Sequence, residues 1–249
     1  MAHYGRALDR RTRQKPEALQ RAQRRLEALA RTAAGRSAGA VLAALLAIDL
    51  CAAAVFTGAG VVTGDAALFF REGMPGTWLS FAELGLAAFV AWMVHALERP
   101  GGAWHGDFWG LAAAVFAVFA LDEILGTSQI IGTWLNQDAG LAPAGDFRDV
   151  GSVLLTLLFA GAALLLLPRA LDLLRRPLAA ALLVAGAALG AGSQALDSFV
   201  RATEWEFVAE ETLKLGAEAF LLTGFVVALR SALAMRRREC SERARSAPA

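Results

Sequence analysis

Long apolar stretches alternate with short polar connections along most of this chain. Each stretch has about 20 residues, enough for a helix to cross a hydrocarbon core about 30 Å thick. This pattern predicts an all-α integral membrane protein built as a bundle of six transmembrane helices. The predicted spans are residues 38–62, 78–97, 108–131, 150–168, 178–199 and 207–229.

A basic segment precedes the first predicted span. Within it, Leu19, Ala22, Leu26 and Leu29 recur every three or four positions, and arginines occupy the other helical faces. This spacing predicts a basic amphipathic helix on the cytoplasmic membrane surface, bound to anionic lipid headgroups. A short helix that docks on a partner is the alternative. The expected regions are a cytoplasmic segment 1–36, a transmembrane domain 37–230 and a basic cytoplasmic tail 231–249.

Lysine and arginine positions predict the orientation. With the amino terminus inside, the inner segments hold both basic ends of the chain, and few basic residues remain outside. The inner connections carry Arg99, Arg169, Arg175 and Arg176, and the outer ones carry Arg71, Arg148 and Arg201. The positive-inside rule therefore places both termini in the cytoplasm of a plasma (inner) membrane protein. Because this rule explains the basic ends, no nucleic-acid partner is expected.

Acidic side chains interrupt the apolar stretches, and one lysine accompanies them. A charge at membrane depth costs about 2.5–3.5 kcal/mol on insertion scales. Such groups must be paired, hydrated, neutralised by a cation or used to move protons. The expected ion- or substrate-binding residues are Glu83, Asp122, Glu123, Asp197, Glu210, Glu211, Lys214 and Glu218, with Asp49 as a candidate relay.

Helix geometry brings these acids to one layer. A rise of about 1.5 Å per residue puts the acids of predicted spans 2, 3, 5 and 6 in the extracytoplasmic half. Glu211, Lys214 and Glu218 share one face, and Glu210 stands four residues before Lys214, in the order that favours an ion pair. Asp49 lies deeper, and serves either as a relay step or as a hydrogen bond between helices.

Few histidines and cysteines accompany the acids. The histidines, His3, His95 and His105, fall away from the acidic layer, which argues against zinc hydrolysis and against a Ser-His-Asp mechanism. Carboxylates suit a hard cation such as Mg²⁺, Mn²⁺ or Ca²⁺, with Asp122, Glu123 and Glu211 as candidate ligands. The same groups suit proton exchange.

Three functions fit this pattern. The first is a carrier or a cation- or proton-binding membrane protein. The second is an intramembrane metal-dependent hydrolase or transferase acting on lipid. The third is an assembly subunit, in which the buried charges only set helix pairing; a homo-oligomer is compatible with each.

Two short motifs carry a resemblance. Leu121-Asp122-Glu123 and the segment Glu210 to Gly216, EETLKLG, resemble an uncharacterised group of bacterial multi-pass membrane proteins. In that group the third-span motif continues to a His-Glu pair, where this chain has Ser128 and Gln129. The resemblance implies a membrane bundle and no known activity.

Overall fold

Helices account for every regular element that the structure describes. The computed structural model describes residues 17–71, 73–98, 108–137, 150–199 and 203–246 of the 249-residue chain. The α-helices are α1 (Glu17–Thr63), α2 (Pro75–Glu98), α3 (Phe108–Leu125), α4 (Thr127–Gln137), α5 (Val150–Leu166), α6 (Pro177–Phe199) and α7 (Glu204–Ser246). Two 3-10 segments, Leu68–Phe70 and Leu167–Arg175, lie between them.

Several of these helices are long and apolar enough to cross a membrane. They are the stretches Ser37–Thr63, Leu68–Glu98, Phe108–Leu125, Pro177–Asp197 and Glu204–Arg238. The apolar part of α5, Val153–Leu166, is shorter. These lengths and compositions are those of an all-α, multi-pass membrane protein.

The chain divides into two compact units, residues 1–40 and 41–249. In the first unit the structure describes only the beginning of α1. The side chains of the predicted amphipathic segment, residues 1–36, lie outside the described part, so its lipid-binding role stays a prediction. All contacts below belong to the second unit.

Aromatic and small apolar side chains form the centre of the second unit. α2 packs against α3 and α7, and α6 packs along α7. The ring of Phe225 on α7 meets two rings of α3 edge to face, with centroids 5.2 Å from Phe116 and 6.3 Å from Trp109. Lipid is as apolar as these side chains, so close packing stabilises the bundle more than burial from water does.

Glycines bring α6 and α7 close together. A Cβ atom at Gly186 would lie 2.6 Å from the Leu221 side chain and 2.8 Å from the Ala217 carbonyl oxygen. At Gly190 the nearest atom would be the Phe159 ring, at 3.3 Å. These two positions therefore form a close-packing face, as small residues commonly do between membrane helices.

The predicted third span, residues 108–131, was wrong at its carboxyl end. α3 ends at Leu125, and α4 begins after Gly126. Gly126 adopts φ +58°, a left-handed conformation that ends helices and that glycine enters readily. The apolar residues after it, Ile130 and Ile131, belong to α4, which packs against α5.

Polar contacts close one end of the bundle, here called the Glu98 end. Arg176 pairs with Glu98 and lies 5.0 Å from the centre of the Trp109 ring. Arg236 Nε donates to the Leu97 carbonyl oxygen at 2.7 Å. Burial lowers the pKa of the Arg176 guanidinium, and the carboxylate and the ring replace part of its lost hydration. These contacts join the carboxyl end of α2, the start of α3, the residue before α6 and the carboxyl-terminal part of α7.

The opposite end, here called the Glu204 end, is fixed where α7 starts. Thr203 and Glu206 form a reciprocal cap, with Glu206 accepting from the Thr203 backbone N–H at 2.8 Å and Thr203 Oγ1 accepting from the Glu206 N–H at 3.3 Å. Glu204 accepts a hydrogen bond from the Ala66 backbone N–H at 3.2 Å. The start of α7 is thereby joined to the connection between α1 and α2.

Candidate functional site

Lys214 is the centre of the polar cluster between the helices. Its Nζ atom donates to Glu123 Oε1 at 2.8 Å and contacts both carboxylate oxygens of Glu211, at 2.9 and 2.8 Å. Glu211 is buried, and Lys214 and Glu123 keep about a quarter and a fifth of their side-chain surface exposed (25% and 19%). One ammonium thus bridges a carboxylate of α3 and a carboxylate of its own helix.

Glu218 continues the polar face of α7 one turn away from Lys214. Ser80 of α2 donates its hydroxyl to Glu218 Oε1 at 2.6 Å, and both side chains are buried. Glu218 Oε2 is also buried and receives no hydrogen bond from the described residues. Ser80 lies three residues before Glu83 on α2, yet its hydroxyl hydrogen-bonds to Glu218 of α7 and not to Glu83.

Asp49 of α1 and Glu83 of α2 face each other. The two side chains interact electrostatically and are 3% and 4% exposed. Among the described residues, no N–H or O–H donor reaches either oxygen of Asp49 or Oε2 of Glu83. Two carboxyl groups can form a hydrogen bond with each other only when one of them carries a proton.

Electrostatic interactions join these contacts into one series. Glu83 interacts with Asp49 and with Glu218, and Glu218 interacts with Lys214 and Glu123. The series therefore crosses from α1 through α2 and α7 to α3. Of the acids that helix geometry was expected to bring to one layer, Glu83, Glu123, Glu211 and Glu218 interact in this series, and Asp49 lies at its α1 end.

Asp197 and Glu210 lie beside this series. Asp197 acts electrostatically on Glu211, and its Oδ2 lies 3.5 Å from the amide nitrogen of Gln194. The Glu210 backbone carbonyl accepts a hydrogen bond from the buried Ser193 hydroxyl at 3.1 Å. Arg201, one helical turn beyond Asp197 in the sequence, lies outside the described residues.

Asp122 has a different task from its neighbour Glu123. Its carboxylate accepts the Ser128 backbone N–H at 2.8 Å and the Ser128 hydroxyl at 2.9 Å. The first bond satisfies a free backbone N–H group at the start of α4, so Asp122 caps that helix. The hydrogen bonds of Asp122 are therefore directed to α4 and not to the cluster that contains Glu123.

The expected metal ligands do not converge. In the described ranges no group of three or more His, Cys, Asp or Glu side chains is placed to hold a metal ion. The physical reason lies in Lys214, since its ammonium occupies the position between Glu123 and Glu211 that a cation would take, while Asp122 is directed to α4. Lys214 is the cation of this part of the site.

An apolar layer separates the cluster from the Glu98 end. On α2 every buried side chain after Glu83 and before His95 is apolar. On α7 the buried residues beyond Glu218 are apolar except Thr223, whose hydroxyl is completely buried and has no hydrogen-bond partner in the described part. Sequence reasoning missed Thr223, although a lone hydroxyl in an apolar run beyond Glu218 was a visible signal.

Comparisons with protein-family models, with curated proteins and with solved structures found no match to this chain.

Proposed function

We propose that this protein is a carrier, or a cation- or proton-binding membrane protein, whose cluster around Lys214 takes up protons from the extracytoplasmic side. One observation carries the proposal. Among the described residues, the series of interacting side chains contains five carboxyl groups and one ammonium. The carboxyl groups belong to Asp49, Glu83, Glu123, Glu211 and Glu218, and the ammonium to Lys214.

Full ionisation of these described groups would leave four negative charges that Lys214 does not compensate. Uncompensated charge in a low-dielectric interior costs several kcal/mol per group. Bound protons, or an additional bound cation, must therefore neutralise most of the series. A membrane protein that binds protons or a cation in this way can exchange them for solutes or move them across the membrane.

The proposal includes six crossings with both termini in the cytoplasm, as the sequence predicts. α3 runs from the Glu98 end to the Glu204 end, and α6 begins again at the Glu98 end, beside Arg176. The chain must return between them. α5 adds about 26 Å at 1.5 Å per residue and the following 3-10 segment about 18 Å at 2.0 Å per residue, which is enough for the hydrocarbon core.

The basic residues place the Glu98 end in the cytoplasm, since the carboxyl end of α7 carries Arg236, Arg237 and Arg238. The Lys214 cluster then lies in the extracytoplasmic half, and the apolar layer is its barrier toward the cytoplasm. In a carrier this layer must open when the cluster closes to the outside, as alternating access requires.

Two other functions have less support. A lipid hydrolase that uses a metal held by Asp122, Glu123 and Glu211 needs these side chains at one ion, and Asp122 caps α4 instead. An assembly subunit needs its buried acids paired. Glu218 and Asp49 retain buried oxygens without hydrogen-bond partners in the described part of the chain.

The test is proton movement in proteoliposomes that contain a pH-sensitive dye. A pH gradient is imposed, and Na⁺, K⁺, Mg²⁺ or Ca²⁺ is added outside in separate trials. We expect the wild-type protein to change the internal pH faster than protein-free liposomes in at least one trial, and the Glu218→Gln variant to lose this activity.

Glu206→Gln is the matched control, because it makes the same chemical change on the same helix and glutamine can keep the cap with Thr203. This variant should move protons at the wild-type rate. Wild-type liposomes indistinguishable from protein-free liposomes in every trial would contradict the proposed function.

A further inference from the structure

α1 is the least enclosed of the candidate spans. Only 11% of its apolar segment is buried, compared with 50% for α7 and 44% for the span that contains α2. Its apolar anchors in the second unit are few. Ala53 and Phe56 belong to a small cluster with Phe70 and Leu215, and Leu45 packs against the main core. Asp49, which is 3% exposed, adds a buried polar side chain to these apolar contacts.

The Asp49–Glu83 contact has unusual chemistry for a helix–helix contact. Three of its four oxygens are buried without a hydrogen-bond donor among the described residues. With one proton between them, the carboxyl groups form a hydrogen bond in an apolar environment. Without that proton, two negative charges face each other there, and their repulsion pushes α1 from α2.

In the part of the chain that the structure describes, one further helix brings a charged group to the pair. On α7, Glu218 interacts with Glu83. Glu123 of α3 and Asp197 of α6 interact with Glu211 instead, so they belong to the Lys214 side of the cluster. Glu218 is negative when ionised, so it does not neutralise negative charge on Asp49 or Glu83. A proton is the smallest species that satisfies the pair, and the side chains present no metal-binding geometry here.

We propose that Asp49 and Glu83 form a separate proton-binding site, and that the proton they share holds α1 against the bundle. This inference rests on the proposed function, because protons reach the pair through the Lys214 cluster. Loss of the proton at high pH loosens α1 while the packing of α6 on α7 stays unchanged. The position of α1 then depends on whether Asp49 and Glu83 share a proton.

The experiment measures distances between spin labels in lipid nanodiscs. One label is attached to Cys51, which is exposed on α1, and the second to a Leu86→Cys substitution on an exposed position of α2, in a Cys240→Ser background. We expect one narrow distance distribution at low pH and the loss of that narrow peak at high pH, as α1 moves away.

Two variants identify the groups responsible. The Asp49→Asn/Glu83→Gln double variant replaces the pair by amides, which hydrogen-bond to each other without a titrating proton, so its narrow peak should persist at every pH. Glu206→Gln makes the same chemical change outside the cluster and should keep the pH response. A response that survives in the double variant, or disappears in Glu206→Gln, would overturn the assignment to Asp49 and Glu83.

The control label pair joins α2 to α6 through Leu86→Cys and Val184→Cys, in a background with Cys51→Ser and Cys240→Ser. Its distances should be independent of pH, and a parallel change would show a general loosening that contradicts a specific release of α1. Wild-type α1 distances that do not change with pH would also contradict the inference; if protons still move in liposomes, the proposed function is unaffected. Distances that change with pH, without proton movement in liposomes, would support the proton site and contradict the proposed function.

Discussion

At the level of single residues, the rise and rotation of an ideal helix predict some contacts and miss others. Depth along the spans correctly placed Glu123, Glu211 and Lys214 together, because rise per residue depends little on side-chain detail. It did not separate Glu123 from Asp122. Neighbouring residues differ by about 100° around a helix, so the two point to different partners. The absolute phase of a helix becomes known only when its packing is known.

Removal of the ammonium tests the role of Lys214 as an internal cation. Lys214→Met leaves the carboxylates of Glu123 and Glu211 facing each other without a counter-charge. We expect the free energy of unfolding to fall by about 3 kcal/mol at neutral pH, the lower end of the range for a broken buried pair. Since protonation relieves the repulsion, the loss should shrink as the pH is lowered. Denaturant unfolding at several pH values measures both effects.

A second variant makes this prediction specific to the cluster. Lys214→Met/Glu211→Gln removes one of the stranded carboxylates, so it should be more stable than Lys214→Met alone. Interaction energies between contacting residues are typically about 0.5–3 kcal/mol, well within reach of such a comparison. A double variant less stable than the single one would show that Lys214 does not act by compensating Glu211.

Helix boundaries depend on signals weaker than hydrophobicity. The apolar residues after Gly126 extended the predicted third span beyond its real end, because composition does not distinguish one long helix from two short ones. The local signals were a glycine followed by Thr127 and Ser128, and an aspartate six residues before Ser128. Caps of this kind are formed by contacts across a turn, which a hydropathy pattern does not encode.

Capping by Asp122 predicts a contrast between two substitutions. Asp122→Asn keeps an oxygen acceptor for the Ser128 backbone N–H, whereas Asp122→Ala removes it and costs about 1 kcal/mol of helix stability. We expect faster hydrogen exchange at the first amides of α4 in the alanine variant only. Proton movement in liposomes should survive in the asparagine variant, and its loss there would return Asp122 to the functional site.

The contact between α6 and α7 predicts an asymmetric response to added methyl groups. Gly186→Ala places a Cβ against Leu221 and the Ala217 carbonyl, and overpacking of this kind costs about 1–3 kcal/mol. Gly192→Ala on the same helix meets no atom within 4 Å and should be neutral or stabilising by up to about 1 kcal/mol. Unfolding in detergent measures both, and equal effects would mean that the two helices are not in close contact at Gly186.

At the scale of the whole molecule, the number of crossings decides the orientation of the cluster. A membrane-impermeant thiol reagent tests it in two variants, one with Cys240 as its single thiol in a Cys51→Ser background, and one with His3→Cys in a Cys51→Ser/Cys240→Ser background. Six crossings predict that both sites react in inside-out vesicles and neither reacts in right-side-out vesicles. Reaction of the two sites from opposite faces would mean five crossings and would remove α5 as a span.

The class of protein followed directly from the sequence because long apolar helices need little beyond composition to be recognised. The pairing of Asp49 with Glu83 needed the structure, since it depends on how α1 and α2 rotate against each other. No pattern within one helix carries that information. The charge balance of the cluster is likewise a property of the assembled bundle, in which acids of five helices interact around one lysine.

Infrared spectroscopy in lipid at neutral pH shows whether the cluster holds protons inside the bundle. Protonated carboxyl groups have their own C=O stretching band, which shifts in heavy water. We predict this band in the wild-type protein, a weaker band in Glu218→Gln and in Asp49→Asn/Glu83→Gln, and an unchanged band in Glu206→Gln. A wild-type spectrum without the band would mean that every acid of the cluster is ionised, and would contradict the account.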